Sequence, residues 1–482
     1  MRPEANGLHI HSVAMTEGLD QALQSHLLQH VRANRRQEDI CIALWHPSEG
    51  RTRRSAVLYK VLLPAAEDRT LSGNVSLKGT YLEKCLAEAA TEKAGIAILH
   101  NHFTPDWQTL SPDDETTESL RAPSVQSFTN LPLIGMTLGT DGTWSARCWL
   151  REGRGKYVPH FASEVRSVGK ALRVSFNPNL KPPPAPREEL TRAISVWGPS
   201  AQSHLSRLHV GVVGVGSVGM MIVEGLGRMG VNRVTLIDFD HVERHNLDRL
   251  LGATAKDALN RTLKVEVAKR VFEGAATTLA PVAIPVIESV VDQAGYEAVL
   301  DCDLVFSCVD RPWPRQVLNV MAYAHLIPVV DGGVLVRMRK RKCVGVEWSV
   351  RTAGPNRQCL ACAGAFNMSN VGLERFGDLD RPSYIQGLDE DHPLRRNENT
   401  FAFSMALAAQ ELAHFVACTT ELMNQPDLGN QRFHTKQQWF MTDISGCAMG
   451  CSFQGLTATA DRMLSRASYL RSTRDNSATR DS

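Results

Sequence analysis

The stretch LHVGVVGVGSVGMMIVEGLGRMGVNRVTLIDFD, residues 208–240, decides the fold of the larger part of this chain. It reads as a short apolar strand, a Gly-rich turn, a helix and a second strand that ends on acids. Gly214, Gly216 and Gly219 have the G-x-G-x-x-G spacing, which sets backbone N–H groups and a helix dipole against phosphates. A strand, turn, helix and strand in that order open a Rossmann-like, doubly wound parallel sheet. Alone this turn fits many nucleotide folds, and Asp238, about 20 residues on, fits a ribose hydroxyl in a dehydrogenase equally well.

The residues further along narrow the chemistry. Asp238-Phe239-Asp240 leads into His245-Asn246-Leu247-Asp248-Arg249, Lys264 follows, and Asp310 closes the apolar run DLVFSCVD. Hydride transfer needs an apolar slot and has no use for Arg, Lys and a further Asp beside phosphates. An ATP α-phosphate under attack needs those cations, and an acid to hold Mg2+. In this the segment resembles the ThiF/MoeB and ubiquitin-activating family of adenylating enzymes, clearly over 188–365 and faintly over 400–455. The resemblance implies ATP and Mg2+, with Asp238 on the ribose, Asn246, Arg249 and Lys264 on the triphosphate, and Asp310 on the metal. Asp240 is either a nucleotide contact or an acid fixing the turn. Arg192, in LTRAISVWG, matches an arginine that reaches ATP across a homodimer interface. For Arg315 and Asn319, capping and packing explain the match as well as function does.

The whole chain has 482 residues, which at ~150 per domain predicts two or three domains. Its net charge of +2 argues against a nucleic-acid or membrane partner held by bulk charge. A hydrophobic share of 43% excludes disorder for most of it. The start, MRPEANGLHIHS, has no apolar signal region, and the 11 cysteines are mostly single residues in apolar runs. That pattern predicts reduced thiols and a cytoplasmic location. Residues 1–160 alternate strand-like runs (ICIALW, SAVLYKVLL, GIAILHNH, LPLIGMTLGT, TWSARCWL) with helical patterns, an α/β domain. Residues 161–187, which include NPNLKPPPAPR, read as a Pro-rich linker. The adenylating domain spans 188–460, with a long crossover loop at 367–398, and 461–482 reads as a disordered Ser/Arg-rich tail.

The N-terminal domain carries HNHFTPDWQTLSPDD, with His100, His102, Ser111 and Asp114. Residues two apart on a strand share a face, so His100 and His102 can converge on one metal, with Asp114 as a third ligand. Three protein ligands and a water make an open, catalytic zinc arrangement. Ser111 would then hydrogen-bond the oxyanion formed on an attacked carbonyl. Ser111-Pro112-Asp113-Asp114 is also a good helix start. The segment resembles the JAB/JAMM metalloprotease family, whose pattern is an upstream Glu, H-x-H, about eight residues, then S-x-x-D. The resemblance implies a cytidine-deaminase-like α/β fold, Glu38 before ICIALW as general base, and cleavage of peptide or isopeptide bonds at ubiquitin-like tails. Asn101 stands where the family has Ser or Thr.

Cys359-Leu-Ala-Cys362 and Cys447-Ala-Met-Gly-Cys451 could together form a closed structural zinc site. The adenylating family more often has two C-x-x-C pairs. Its nucleophilic cysteine would lie between Ala363 and Ala417, where this sequence has none. Cys418 reads as a core thiol, and Cys343, in RKRKCVG, is a remote nucleophile. The expectation is a two-headed enzyme that trims or deconjugates a ubiquitin-like protein with a small-residue tail and adenylates its C-terminus. Adenylation then needs no thioester on this chain, and the setting is a bacterial, antiphage conjugation pathway with a ubiquitin-conjugating-like protein downstream. A sulfur carrier is the alternative partner, and a non-catalytic receptor for such a tail the alternative class.

Overall fold

In the run ICIALW, alternate residues go to opposite faces of a sheet, and both faces are covered. Cys41, Ala43 and Trp45 belong to one buried cluster and Ile40, Ile42 and Leu44 to another, so the strand reads as continuously apolar. The computed structural model describes residues 11–153, 155–340, 342–380, 399–462 and 469–471. They fall into two units, 1–183 with 457–462, and 184–456 with 463–482.

In the first unit the elements are β1 (Ser12–Thr16), α1 (Glu17–Leu27), α2 (Gln29–Arg32), β2 (Ile40–Glu49), β3 (Arg54–Leu62), a hairpin of β4 (Arg69–Ser72) and β5 (Asn74–Leu77), and α3 (Gly79–Glu92). They continue with β6 (Gly95–Asn101), α4 (Pro112–Thr129), β7 (Leu133–Leu138), β8 (Trp144–Glu152), β9 (Lys156–Phe161), β10 (Glu164–Val168) and β11 (Leu172–Phe176). Nine strands make one mixed sheet in the order β11-β10-β1-β3-β2-β6-β7-β8-β9. The expected linker at 161–187 therefore needs correction. Residues 164–176 are the last two strands of this sheet, β10 parallel to β1 with Val165 and Val168 buried. After β11, residues 177–187 form no strand or helix, and the second unit begins within them at Pro184.

The second unit runs α5 (Thr191–Arg207), β12 (His209–Val213), α6 (Ser217–Arg228), β13 (Arg233–Ile237), α7 (Ala255–Leu259), α8 (Lys264–Ala275), β14 (Val282–Val286), α9 (Gln293–Leu300), β15 (Leu304–Ser307) and α10 (Pro312–Ala324). After these come β16 (Val329–Arg339), β17 (Lys342–Ala353), α11 (Met368–Arg375), α12 (Phe401–Thr420), β18 (Asn430–His434) and β19 (Trp439–Asp443). Strand order is β14-β13-β12-β15-β16-β17-β18-β19, parallel through β16 and antiparallel beyond. This is the doubly wound sheet the Gly-rich turn predicts, and its order reverses between β12 and β15, where such sheets open a crevice at their carboxyl ends. Helix α12 is long and apolar enough to cross a membrane by composition, yet it packs on α6, β16 and β17 as a core helix does. The expected crossover loop contains α11, and its residues 381–398 lie outside the described residues. Two parts of the expected tail are also placed: residues 461–462 go with the first unit, and Tyr469–Arg471 pack on the second. The rest of 461–482 lies outside the described residues.

Candidate functional site

In the second unit the site grows from β12. Gly214, which follows it, has φ +87°, a backbone that favours glycine, and its N–H donates to Ile237 O at 2.9 Å. A Cβ at Gly219 would lie 2.0 Å from Gly214 O, so only glycine lets the first turn of α6 lie against the loop. Asp238 directly follows β13 beneath this loop. Its carboxylate accepts the N–H groups of Val215 and Asp240 at 2.9 and 2.8 Å. Burial pushes the Asp238 carboxyl up, and Lys264 opposes that in part.

These residues line a cavity of about 530 Å3 at the carboxyl ends of the strands. Gly214, Gly216, Asp238, Asp240, Asn246, Arg249, Lys264 and Asp310 all line it, whereas Gly219 supports it from behind. Lys264 Nζ lies 2.7 Å from Asp240 Oδ2, and Arg249 Nη1 lies 2.8 Å from Asp248 Oδ1. Asn246 Oδ1 accepts from Glu243 N at 3.0 Å, which fixes the turn that carries it. Arg192 is exposed on α5 and is not among the lining residues of this single chain. Arg315 bonds Asp331 Oδ1 at 3.0 Å and Gly332 O at 2.9 Å, away from the cavity, which gives it a packing role. Asn319 Oδ1 accepts from Leu360 N at 2.9 Å and so holds the loop that bears Cys359 and Cys362.

The four sulfurs of Cys359 and Cys362 in that loop and of Cys447 and Cys451 after β19 lie within 4.8 Å of one another. Cys359 Sγ and Cys451 Sγ are 3.7 Å apart, and thiolates on a tetrahedral zinc stand about 3.8 Å apart. Backbone N–H groups of Cys359 and Cys362 point at Cys447 Sγ and Cys359 Sγ, 3.1 and 3.3 Å away, as donors that favour thiolate. The donor set fits zinc. Cys418 is fully buried in α12, as a core thiol should be, and Cys343 is exposed.

In the first unit, β6 ends at Asn101, with His100 at its penultimate position and His102 just beyond it. Asp114 is in the first turn of α4. His100 Nε2 lies 3.0 Å from Asp114 Oδ1, His102 Nε2 3.4 Å from Asp114 Oδ2, and the two Nε2 atoms 3.2 Å apart. Ligand atoms on a tetrahedral zinc are about 3.3–3.4 Å apart, so this triangle already has the size that ion needs. Ser111 caps α4, accepting from Asp114 N at 3.1 Å, while Asp114 Oδ2 accepts from Ser111 N at 3.2 Å. The helix-start reading of Ser111 is therefore realised, and the residue also stands beside the triangle. Burial works to raise the Asp114 carboxyl, but hydrogen bonds from both histidines and from Ser111 outweigh it and hold the group far below the carboxylate range. Glu38, just before β2, is half-buried; burial raises its carboxyl against the pull of His100 and His102.

Among the lining residues of this cavity not anticipated from the sequence are Arg311, Trp313 and Arg471. The first two follow Asp310 directly, and the proline after Arg311 was a signal that a helix starts there. Nothing in the Ser/Arg-rich tail marks Arg471.

Comparison with known proteins bears on the second unit. The sequence profile of the ThiF family matches residues 190–420, so this unit is a ThiF-family adenylyltransferase domain. Molybdopterin-synthase adenylyltransferase of Escherichia coli (strain K12) is 33% identical over 162 residues, 33% of this chain and 61% of that one. The SAMP-activating enzyme E1 of Haloferax volcanii is 31% identical over 165 residues, 34% of this chain and 57% of that one. The chain thus spans less than two thirds of the length of these relatives. Among solved structures, E. coli MccB with ATP superposes with a TM-score of 0.43 at 16% identity, covering 56% of this chain and 75% of that chain.

Proposed function

We propose, starting from the ThiF-family domain at residues 190–420, that this protein uses ATP to adenylate the C-terminal carboxylate of a ubiquitin-like or sulfur-carrier protein. The carrying observation is the cavity that joins the Gly214–Gly219 loop to Asp240, Asn246, Arg249, Lys264 and Asp310. The carboxylate oxygen attacks the α-phosphorus, the bond from that phosphorus to the bridging oxygen breaks, and pyrophosphate leaves with the electron pair. Loop N–H groups hold the phosphates, and Arg249 and Lys264 exchange their carboxylate partners for phosphate oxygens. Asp310 would hold Mg2+, which supplies charge neutralisation on the triphosphate. Arg192 would come from a second copy of the chain. Pyrophosphate exchange into ATP, dependent on a small β-grasp protein ending in glycine, tests this. Lys264→Ala and Asp310→Ala should each lower the exchange by about 100-fold or more. Exchange at the wild-type rate in both variants refutes the assignment.

A second activity is favoured by the preformed triangle of His100, His102 and Asp114. These residues would hold zinc, which supplies Lewis-acid activation of water and carbonyl. Glu38 would accept the water's proton and pass it to the leaving amine, and Ser111 would bond the oxyanion, in cleavage at the partner's tail. Removal of extra residues would expose the carboxylate that the other unit activates. Glu38→Ala should keep bound zinc and lose cleavage, and His100→Ala should lose both. Cleavage that survives in His100→Ala, or zinc content that does not change with it, ends this reading.

A further inference from the structure

Residues Tyr469–Arg471 lie against the cavity of the second unit. Trp313 Nε1 donates to Tyr469 O at 2.7 Å, and Arg471 N donates to Val291 O at 2.8 Å. Leu470, between them, is buried in the cluster that includes Val290, Val291 and Trp313. Val291 lies just before α9 and Trp313 in the first turn of α10, so these three residues join the two walls at the rim of the cavity. The Arg471 side chain lines the cavity itself. Its Cζ lies 5.9 Å from the centroid of the Trp313 ring and its Nε 3.6 Å from Asp292 Oδ1.

A pair of that length, with the Arg471 side chain 41% exposed, is weak and leaves the guanidinium available to a stronger anion. Lys264 and Arg249 must first give up Asp240 and Asp248 at 2.7 and 2.8 Å. Among the described residues, the carboxylate contact that Arg471 has to give up is the looser one to Asp292. The Arg471 main chain is fixed by the bond to Val291 and its guanidinium lies near an indole, which holds the side chain on the cavity side. A planar fork of donors matches phosphate oxygens two at a time.

We infer that Arg471 is a nucleotide-binding residue that meets the triphosphate of ATP, which makes residues 469–471 part of the adenylation site. This rests on the reading of the cavity as an ATP site. Calorimetric titration of the full-length protein with Mg-ATP, and competition by adenosine, test the two separately. Arg471→Ala should weaken Mg-ATP about tenfold or more while adenosine competes as before, and Arg471→Lys should recover part of the loss. Arg471→Gln keeps the stem near Trp313 and should lose affinity as well, which separates a folding defect from a lost charge. If the wild type binds Mg-ATP and the Ala and Gln variants bind it equally well, the inference fails and the cavity reading stands. Equal losses for Mg-ATP and adenosine would make Arg471 a wall of the cavity, and the inference fails again. A wild type that binds no Mg-ATP overturns the cavity reading and this inference with it.

Discussion

The triangle of His100, His102 and Asp114 in the first unit and the Gly-loop cavity of the second are built by opposite means. At the triangle, a strand end and a helix start aim three ligands at one point, and those ligands hydrogen-bond one another at 3.0–3.4 Å. In the cavity the charged groups pair with local partners instead, Lys264 with Asp240 and Arg249 with Asp248. A small ion needs ligands already converged, because it cannot reach out to them. A triphosphate can displace weak, half-exposed pairs one at a time. Rigidity should therefore matter more at the first site, and exchangeable charge more at the second.

The largest expected effect breaks the rigid side of this contrast. One turn along α4 from Asp114, Glu118 accepts from Arg147 Nε at 2.9 Å, from Arg147 Nη2, and from Trp149 Nε1 at 2.6 Å, with both charges buried. Residues four apart share a helix face, so this pair pins α4 to β8 at the register that brings Asp114 to the histidines. Glu118→Ala leaves Arg147 buried without its counter-charge and should cost about 3–5 kcal/mol. Hydrogen exchange across β6–β8 would measure it. Wild-type protection in Glu118→Ala would mean that the pin is idle.

Next in size is a pair of glycine changes that sharpens the other side. Gly219→Ala places its Cβ 2.0 Å from Gly214 O, so the loop must move, at a cost of about 1–3 kcal/mol. Gly216→Ala meets nothing within 4 Å and should melt like the wild type. It lines the cavity, however, and should weaken Mg-ATP by crowding the phosphates. Equal melting temperatures for the two variants would contradict this separation of support from contact.

Much of this was legible because the signals are local. Gly214 to Asp240 is one continuous strand–turn–helix–strand unit, and the interval from His100 to Asp114 is one strand end and one helix cap, so spacing alone carries the geometry. The exceptions depend on the rest of the fold. Residues 164–176 read as a loosening linker because β10 needs β1, some 150 residues earlier, to be a strand at all. Arg471 reads as tail because its place comes from Val291 and Trp313, both far back in the chain. Asp238 shows a subtler limit. Its position was plain, but only the fold reveals that its carboxylate is engaged by Val215 and Asp240 N–H groups, while the exposed Asp240 faces Lys264.

Glu411 supplies the smallest effect and concerns how the second unit tolerates charge away from its cavity. It lies wholly buried on α12, and neither carboxyl oxygen has a hydrogen-bond partner among the described residues. The charged and titratable groups facing it are Asp331, Arg315, Arg351 and Cys308; Arg315 is already committed to Asp331 and Gly332 O. Burial, and then the Asp331 charge, push the Glu411 carboxyl well above its ordinary range. The folded chain thus keeps a proton there that the unfolded chain has lost above pH ~4.3. Stability from this group is full below that value and falls as pH rises towards the folded pKa. Glu411→Gln has no such proton to lose. Its melting temperature should match the wild type near pH 5 and exceed it by a few degrees at pH 8, since ~1 kcal/mol shifts a unit of this size by about 2–4 °C. Parallel curves for the two proteins from pH 5 to 8 would place the unpaired acid in contact with water that keeps it ionised. The second unit would then tolerate buried charge through hydration, and the contrast with the Glu118–Arg147 pin, whose charges are paired with each other, would rest on solvent access.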